Sequence, residues 1–583
     1  MTSCPDSARP VLTGWLGALL LATASSALGC SGASETRRAE RTAHGPASSG
    51  KPVRVKLLGL NDFHGQLSPR TLDGRPVGGA AVLASYLKAA SAGREERTFL
   101  VHAGDLAGAS PPNSALLQDE PSVSFLNTLA DDRCSSRRDG NKECNVIAAL
   151  GNHEFDEGRS ELFRLIDGGN HPKGPFLDPA WRGARYPYVC ANVVETKTGR
   201  SILPSAALRW VDGVPIAFIG AVLRETPTIV MPAGVEGLEF RDEADAINAT
   251  VAELRASGVH AFVVAIHQGT DQTSYAGPTD AAAPLASGAL SAIVSRLDDD
   301  IDVIVAGHTH AFTNALLPNA RGVPILVTQA FSASTAYADI DLVLDDKTRN
   351  VVSKTATIVR TWADQGPGLT PDAKVAAIVA AADARVAPFV ERVVGHARTD
   401  ITRAPNAAGE SALGNLVADA QRASIGADFA LTNPGGIRAD LASGEISWGE
   451  LFTVQPFGNT VVALTLTGRR IYDLLNQQWG APQPPGGRIL QISGLSYTWN
   501  PAIPEGGQRV VEVRDASGKP LEPDRSYRIA VNSFIAGGGD NFTVLRSAGE
   551  RSNGPSDLDA FGNYLTSLKQ PFTAAITGRI TQR

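Results

Sequence analysis

The sequence predicts an α/β protein with more than one domain. Its 583 residues exceed what a single hydrophobic core usually organises. Between residues 53 and 330, short and nearly continuous apolar runs alternate with Ala-rich stretches of helical character, the pattern of strands buried on both faces. Near residue 370 that pattern gives way to a long amphipathic segment, beyond which a second set of apolar runs begins.

Residues 1–30 differ in kind from the rest. Arg9 precedes the apolar run VLTGWLGALLLATASSALG and then Cys30, the layout of a secretory signal. A transmembrane anchor is the alternative, but the run holds Gly14, Gly17, Thr23, Ser25 and Ser26 and barely reaches spanning length. ALGC at 27–30 resembles a bacterial lipobox, with Ala27 where Leu is usual. It implies a lipid on Cys30 and a tethered protein of the periplasm or cell envelope. Residues 31–50 are polar and aperiodic, which reads as a flexible tether.

The expected strands are VRVKLLGL (53–60), TFLVHAG (98–104), NVIAAL (145–150), IAFIGAV (216–222), AFVVAI (261–266), DVIVAG (302–307) and PILVTQA (324–330). AAVLASYLKAA and DAINATVAELRAS are expected helices between them. In residues 370–394 the apolar positions Val375, Ile378, Val379, Ala382, Val386, Phe389, Val390 and Val393 fall at spacings of three and four after a Thr/Asp start signal. A helix there is expected to connect two domains, placing the first at 51–365, the linker at 366–394 and the second at 395–583. The second carries the runs VVALTLTG and SYRIAVNSF and the Gly-rich turns NPGG and AGGGD.

A formal net charge of -7 leaves no basic footprint for a nucleic-acid polymer, so an anionic substrate must be drawn by a local site. Cys134 and Cys144 flank the polar segment SSRRDGNKE and could close it as a disulfide, while Cys190 in YPYVCANV reads as a buried free thiol.

Five apolar runs of the first segment end in polar, coordinating groups. They are Asp62 and His64 in NDFHG, Asp105 in AGD, Asn152 and His153 in GNHEFD, His267 in HQG, and His308 and His310 in GHTH. Taken singly, a His at a strand end is more often a core residue, and an Asp or Asn a turn former. Together they belong at the carboxyl ends of α/β strands, where ligands bind. With His153 set aside, two Asp, one Asn and four His without a thiolate suit Zn²⁺, Mn²⁺ or Co²⁺. Seven ligands are too many for one tetrahedral ion and fit two ions about 4 Å apart, bridged by a carboxylate. His153 is then free to face substrate, with Asp156 three residues on to fix its tautomer, and Glu154 reads as a helix-start residue.

The series NDFHG, GD, GNHEFD, HQG and GHTH resembles the calcineurin-like metallophosphoesterases, and among them the 5′-nucleotidases. The resemblance runs over nearly all of residues 53–583. It implies a four-layer α/β/β/α metallophosphoesterase domain joined by a helix to a smaller α/β substrate-binding domain. It further implies one divalent ion on Asp62, His64, Asp105 and His310, and a second on Asp105, Asn152, His267 and His308.

In the second segment, NPGGIR offers Asn433 and Arg438, QPFGN offers Phe457 and Asn459, and FIAGGGDNF offers Phe534 and Asp540. By the same resemblance the two Phe rings hold the base, Asn433, Arg438 and Asn459 lie near the nucleoside, and Asp540 accepts from the ribose. ITRAPNAAGESALGNL supplies only Arg403 where the family commonly has further arginines. The function expected is removal of phosphate from 5′-nucleotides such as AMP, and possibly ATP or ADP, by a two-metal-activated hydroxide. Alternatives are opening of 2′,3′-cyclic nucleotides, cleavage of UDP-sugars, thiosulfate-ester hydrolysis, and nucleotide binding without turnover by an envelope lipoprotein.

Overall fold

In the computed structural model the described residues are 50–135, 143–284 and 286–583. The expected signal, the possible lipid site at Cys30 and the tether up to residue 49 lie outside them. The first domain has two six-stranded sheets packed face to face. One runs in the order Val351–Arg360, Ala336–Asp345, Pro52–Leu60, Thr98–Ala103, Val146–Ala149, Tyr188–Val189. The other runs Phe312–Pro318, Pro324–Ala330, Ile301–Ala306, Phe262–His267, Val214–Val222, Ala206–Val211. Thr98–Ala103 and Val146–Ala149 in the first sheet, and Val214–Val222, Phe262–His267 and Ile301–Ala306 in the second, have parallel neighbours and are buried on both faces, which is why their sequences do not alternate; Ala336–Asp345 pairs antiparallel on both sides.

Val55, Leu57, Val101, Ile147, Phe218, Val263 and Val303 fill the space between the sheets. Helices Ala80–Ser91 and Glu120–Leu129 cover one outer face, and Glu243–Ala256 and Ala289–Val294 cover the other. The result is the four-layer α/β/β/α arrangement. Helix starts follow the sequence: Asp242 caps Glu243–Ala256 by accepting from Asp245 N, and Asp372 caps Ala373–Val390 by accepting from Lys374 N and Val375 N.

The Ala373–Val390 helix departs from expectation on part of its apolar face. Val375, Ala382 and Val386 enter the core of the first domain, but Phe389 is 65% exposed. Val393, 54% exposed, lies in the strand Val393–Ala397 and not in the helix. Pro388 sits in the last turn, and the helix stops two residues later, so the periodicity is not continued. The helix packs on the first domain as one of its layers; it is more than a connector.

The second domain is built on a five-stranded sheet, in the order Gln491–Ser493, Phe429–Thr432, Ser526–Asn532, Thr460–Thr467, Gly549–Ser556. Phe429–Thr432 and Ser526–Asn532 are parallel neighbours, so the segments that follow them, NPGGIR and FIAGGGD, leave the same edge of the sheet. Cys134 and Cys144 form a disulfide, and Cys190 is a buried free thiol.

Candidate metal centre and nucleotide cleft

The parallel strands of both first-domain sheets deliver their terminal polar residues to one place. His267 Nε2 lies 2.9 Å from Asp105 Oδ2 and 3.8 Å from Asp62 Oδ1. His64 Nε2 is 3.6 Å from Asp105 Oδ2 and 3.0 Å from His310 Nε2, and His310 Nε2 is 3.2 Å from Asp62 Oδ1. His308 Nδ1 approaches Asn152 Oδ1 at 3.1 Å. Asp62, His64 and His310, then Asp62, Asp105 and His267, and also His64, Asp105 and His153, each bring ligand atoms within 4.8 Å of one another.

The backbone is strained to achieve this. Asp62, His64, Asp105, His308 and His310 all have positive φ, between 48° and 76°, a region costly for residues with a Cβ. Gly151 has no alternative, since a Cβ there would stand 2.1 Å from Asp105 Oδ1.

The donor set suits divalent cations. His64 Nδ1 donates to Gly108 O and His267 Nδ1 to Ala103 O, each at 2.8 Å, so backbone carbonyls aim both Nε2 atoms inward. His267 Nε2 is buried without an aligned hydrogen bond. Burial would depress the His267 pKa, but Asp105 and Asp62 overcome it and hold it at about 10, a sign that this pocket favours positive charge there. Burial and the neighbouring His267 charge push His308 down to about 3, leaving a neutral imidazole able to ligate.

The cluster is supported by residues that the sequence reading undervalues. Glu154 is not only a helix-start residue: its carboxylate accepts from the amides of Asp105 (2.8 Å), Leu106 (2.7 Å), Ala107 (3.3 Å) and Gly151 (2.5 Å). It thereby ties the Asp105 loop to the Asn152 loop. Burial and then Asp105 raise its pKa to about 7, against the amide donors that favour the ionised form. Asp119, half-buried and distant in sequence from every motif, accepts from Gly108 N at 3.0 Å and Ser114 Oγ at 2.7 Å, fixing the residue whose carbonyl orients His64. Asn61 donates to Asp62 Oδ2 and Phe331 O, both at 2.6 Å. Its place next to Asp62 is the one available sequence signal; Asp119 has none.

His153 stands beside the cluster. Its Nδ1 is 2.6 Å from Asp156 Oδ2 and its backbone N–H donates to Asp105 Oδ1 at 2.9 Å. Burial opposes protonation of this ring, yet Asp156 and Asp105 hold its pKa above the ordinary value.

A cleft opens from here to the second domain, lined by Asn152, His153 and His308 on one side and by Asn433, Arg438, Phe457, Asn459, Phe534 and Asp540 on the other. Phe457 stacks on His153, ring centres 5.9 Å apart at 15°, and Arg438 lies 5.9 Å from the Phe457 centroid. Both Phe rings are half-buried; a Cβ at Gly539 would stand 2.4 Å from the Phe534 ring, so glycine there seats it. Asp540 Oδ2 accepts from Asn433 Nδ2 at 2.7 Å, and Asn459 Oδ1 accepts from Ser533 Oγ at 3.0 Å. Arg403 is not among the lining residues: it is exposed, and its Nη1 donates to Ile437 O at 3.2 Å, behind Arg438. The structure thus places Arg403 next to Arg438 and outside the lining of the cleft.

Comparison with known proteins agrees with this geometry. Residues 55–312 match the calcineurin-like phosphoesterase family and residues 393–547 the 5′-nucleotidase C-terminal domain. The chain is 34% identical over 554 residues to cell wall protein Lmo0130 of Listeria monocytogenes, covering 89% of this chain and 67% of that protein. It is 35% identical over 539 residues to endonuclease YhcR of Bacillus subtilis, covering 91% of this chain but spanning only 41% of that relative. The crystal structure of a 5′-nucleotidase precursor from Thermus thermophilus superposes with a TM-score of 0.73 at 29% identity, over 91% of this chain and 99% of that one.

Proposed function

Since the chain belongs to the 5′-nucleotidase family of calcineurin-like metallophosphoesterases, and is therefore a phosphoric ester hydrolase, we propose that it removes phosphate from 5′-nucleotides such as AMP. The observation that carries this reading is one cleft lined at one end by Asn152, His153 and His308, on the border of the carboxylate–imidazole cluster, and at the other by two half-buried Phe rings and the Asp540 carboxylate.

Calcineurin-like phosphoesterases bind two divalent metal ions. Here Asp62, His64, Asp105 and His310 would hold one, and Asp105, Asn152, His267 and His308 the other, with Zn²⁺, Mn²⁺ or Co²⁺ best suited to the donors. Bound there, the ions would supply Lewis acidity toward the phosphoryl group and a water made acidic enough to attack at neutral pH.

The chain's own residues do the rest. Asp156 holds Nδ1 of His153, leaving Nε2 to meet the phosphoryl or leaving-group oxygen and deliver a proton to it. Arg438 faces the same space and neutralises phosphoryl charge. Phe457 and Phe534 hold the base, and Asp540 accepts from the ribose hydroxyls. The Phe457–His153 stack supports a cleft that must admit the nucleotide by parting these rings.

The reading includes export to the cell envelope. The signal-like first 30 residues and the cell wall name of the Listeria relative support it. No helix among the described residues is long and apolar enough to cross a membrane.

Chromatographic detection of all products, with phosphate release measured alongside, from AMP, 2′,3′-cyclic AMP, UDP-glucose and a single-stranded oligonucleotide, with and without chelator, tests the proposal. Chelator-sensitive conversion of AMP to adenosine and phosphate is expected to exceed turnover of the others. Preferred cleavage of the oligonucleotide would favour the activity named for the Bacillus relative and sink this one.

A further inference from the structure

At the sugar end of the cleft stands a cation that no motif singles out. Arg488 lines the cleft beside Asn433, Phe534 and Asp540, and its side chain is 27% exposed. Its Nη1 donates to Gln483 Oε1 at 2.8 Å. Gln483 is buried, and its Nε2 is committed to Asp540 O at 2.7 Å and Gln477 O at 3.0 Å, so its amide oxygen is left to face the guanidinium. Arg488 Nε lies 3.5 Å from Asp540 Oδ1, while Asp540 Oδ2 takes Asn433 Nδ2. Asn433 is in turn fixed by Asn532 Nδ2, which donates to its Oδ1 at 2.9 Å.

The Asp540 carboxylate is thus gripped from two sides, by an amide on one oxygen and a cation near the other. Its backbone, at φ 52°, lies in the left-handed region, so the residue is held in a costly conformation as well. Burial favours its protonated form, and Arg488 and then Asn433 act against that. The distinction matters chemically. An ionised carboxylate only accepts, and can take two adjacent hydroxyl protons; a neutral acid must donate one of its own.

We propose that Arg488, seated by Gln483, is a specificity-determining residue that holds the Asp540 carboxylate in place to select ribose over deoxyribose nucleotides. The inference rests on the nucleotidase reading and deepens it. A site whose buried polar groups are satisfied by substrate hydroxyls penalises an analogue that lacks them. Without its cation, Asp540 loses orientation and charge, and the sugar is no longer discriminated.

The test is steady-state kinetics on AMP and 2′-deoxy-AMP for the wild type, Arg488→Met, Arg488→Lys and Gln483→Leu, with thermal unfolding as the fold check. The wild type should prefer AMP by about tenfold or more in kcat/KM, mostly through KM, the size expected of one hydrogen bond to a charged group. Arg488→Met should raise the KM for AMP by about tenfold and that for 2′-deoxy-AMP by less than about twofold, collapsing the preference. Gln483→Leu and Arg488→Lys should do the same to a smaller degree, and they carry the test if Arg488→Met fails to fold. Equal shifts on both nucleotides would mark Arg488 as a mere loop support and overturn the inference. So would a wild type that hydrolyses both without preference, while leaving the nucleotidase reading intact. Release from neither nucleotide would overturn that reading, and this one with it.

Discussion

The two ends of the cleft are built differently. At the metal end, five candidate ligands sit in strained backbone conformations, two imidazoles are aimed by backbone carbonyls, and Glu154 ties two loops together through four amides. At the proposed nucleoside end stand two half-buried rings, one of which rests on His153. Rigid, charged placement suits a phosphoryl group whose geometry never varies, whereas stacking surfaces tolerate different bases. The difference teaches that chemistry and substrate choice are held by separable parts, and substitutions should separate them.

The largest effect is expected at Asp105, which both candidate ion sites share. Asp105→Ala should lower kcat/KM for phosphomonoesters by about 10⁴ or more, and bound metal, measured by atomic emission, should fall with it. Retained metal and activity would dissolve the distinction at once. His153→Ala should reduce kcat by roughly 10²–10³ with metal content unchanged, because this ring handles protons and not cations in the proposed scheme. Equal loss of metal would move His153 into the ion site.

At the other end the effects should be milder and appear in KM. Phe457→Ala or Phe534→Ala should raise the KM for AMP by about tenfold, the worth of one stacked base, and change kcat less. A loss confined to kcat would instead tie the ring to the metal end, through the stack on His153.

The smallest signal is a control for all of these. Burial pushes the Cys190 thiol pKa up to about 12, so almost none of it is thiolate at a pH of about 8. Folded variants should therefore resist iodoacetamide at that pH and become labelled only in denaturant. Labelling of a variant under native conditions would assign its kinetic loss to the core and not to the site.

The contrast also explains what could be read from the sequence. Every strand of the first domain that ends in a candidate ligand was legible, because buried parallel strands leave continuous apolar runs and their polar ends stand within four residues. Asp62, His64, Asp105, Asn152, His267, His308 and His310 share one neighbourhood for that reason. Asp119 was not legible, since it acts through the Gly108 backbone and no spacing records such a bond. Nor was Arg488, whose role depends on a loop that folds back on Asp540 from well before it in the chain. The place of Arg403 beside Ile437 and outside the cleft lining was not legible either, since it depends on a backbone carbonyl that no spacing records. Val393 misled because helical spacing continues past Val390 on paper and not in the backbone, and Phe389 because it stays in the helix yet faces solvent.

Metal stripping reaches the centre of the matter most directly. Protein dialysed against a strong chelator should lose release of phosphate from AMP by about 10³-fold or more and regain it when Mn²⁺, Zn²⁺ or Co²⁺ is returned, with restoration saturating near two ions per chain. Undiminished release by protein verified free of metal would contradict a two-cation centre at Asp62, Asp105 and the four histidines.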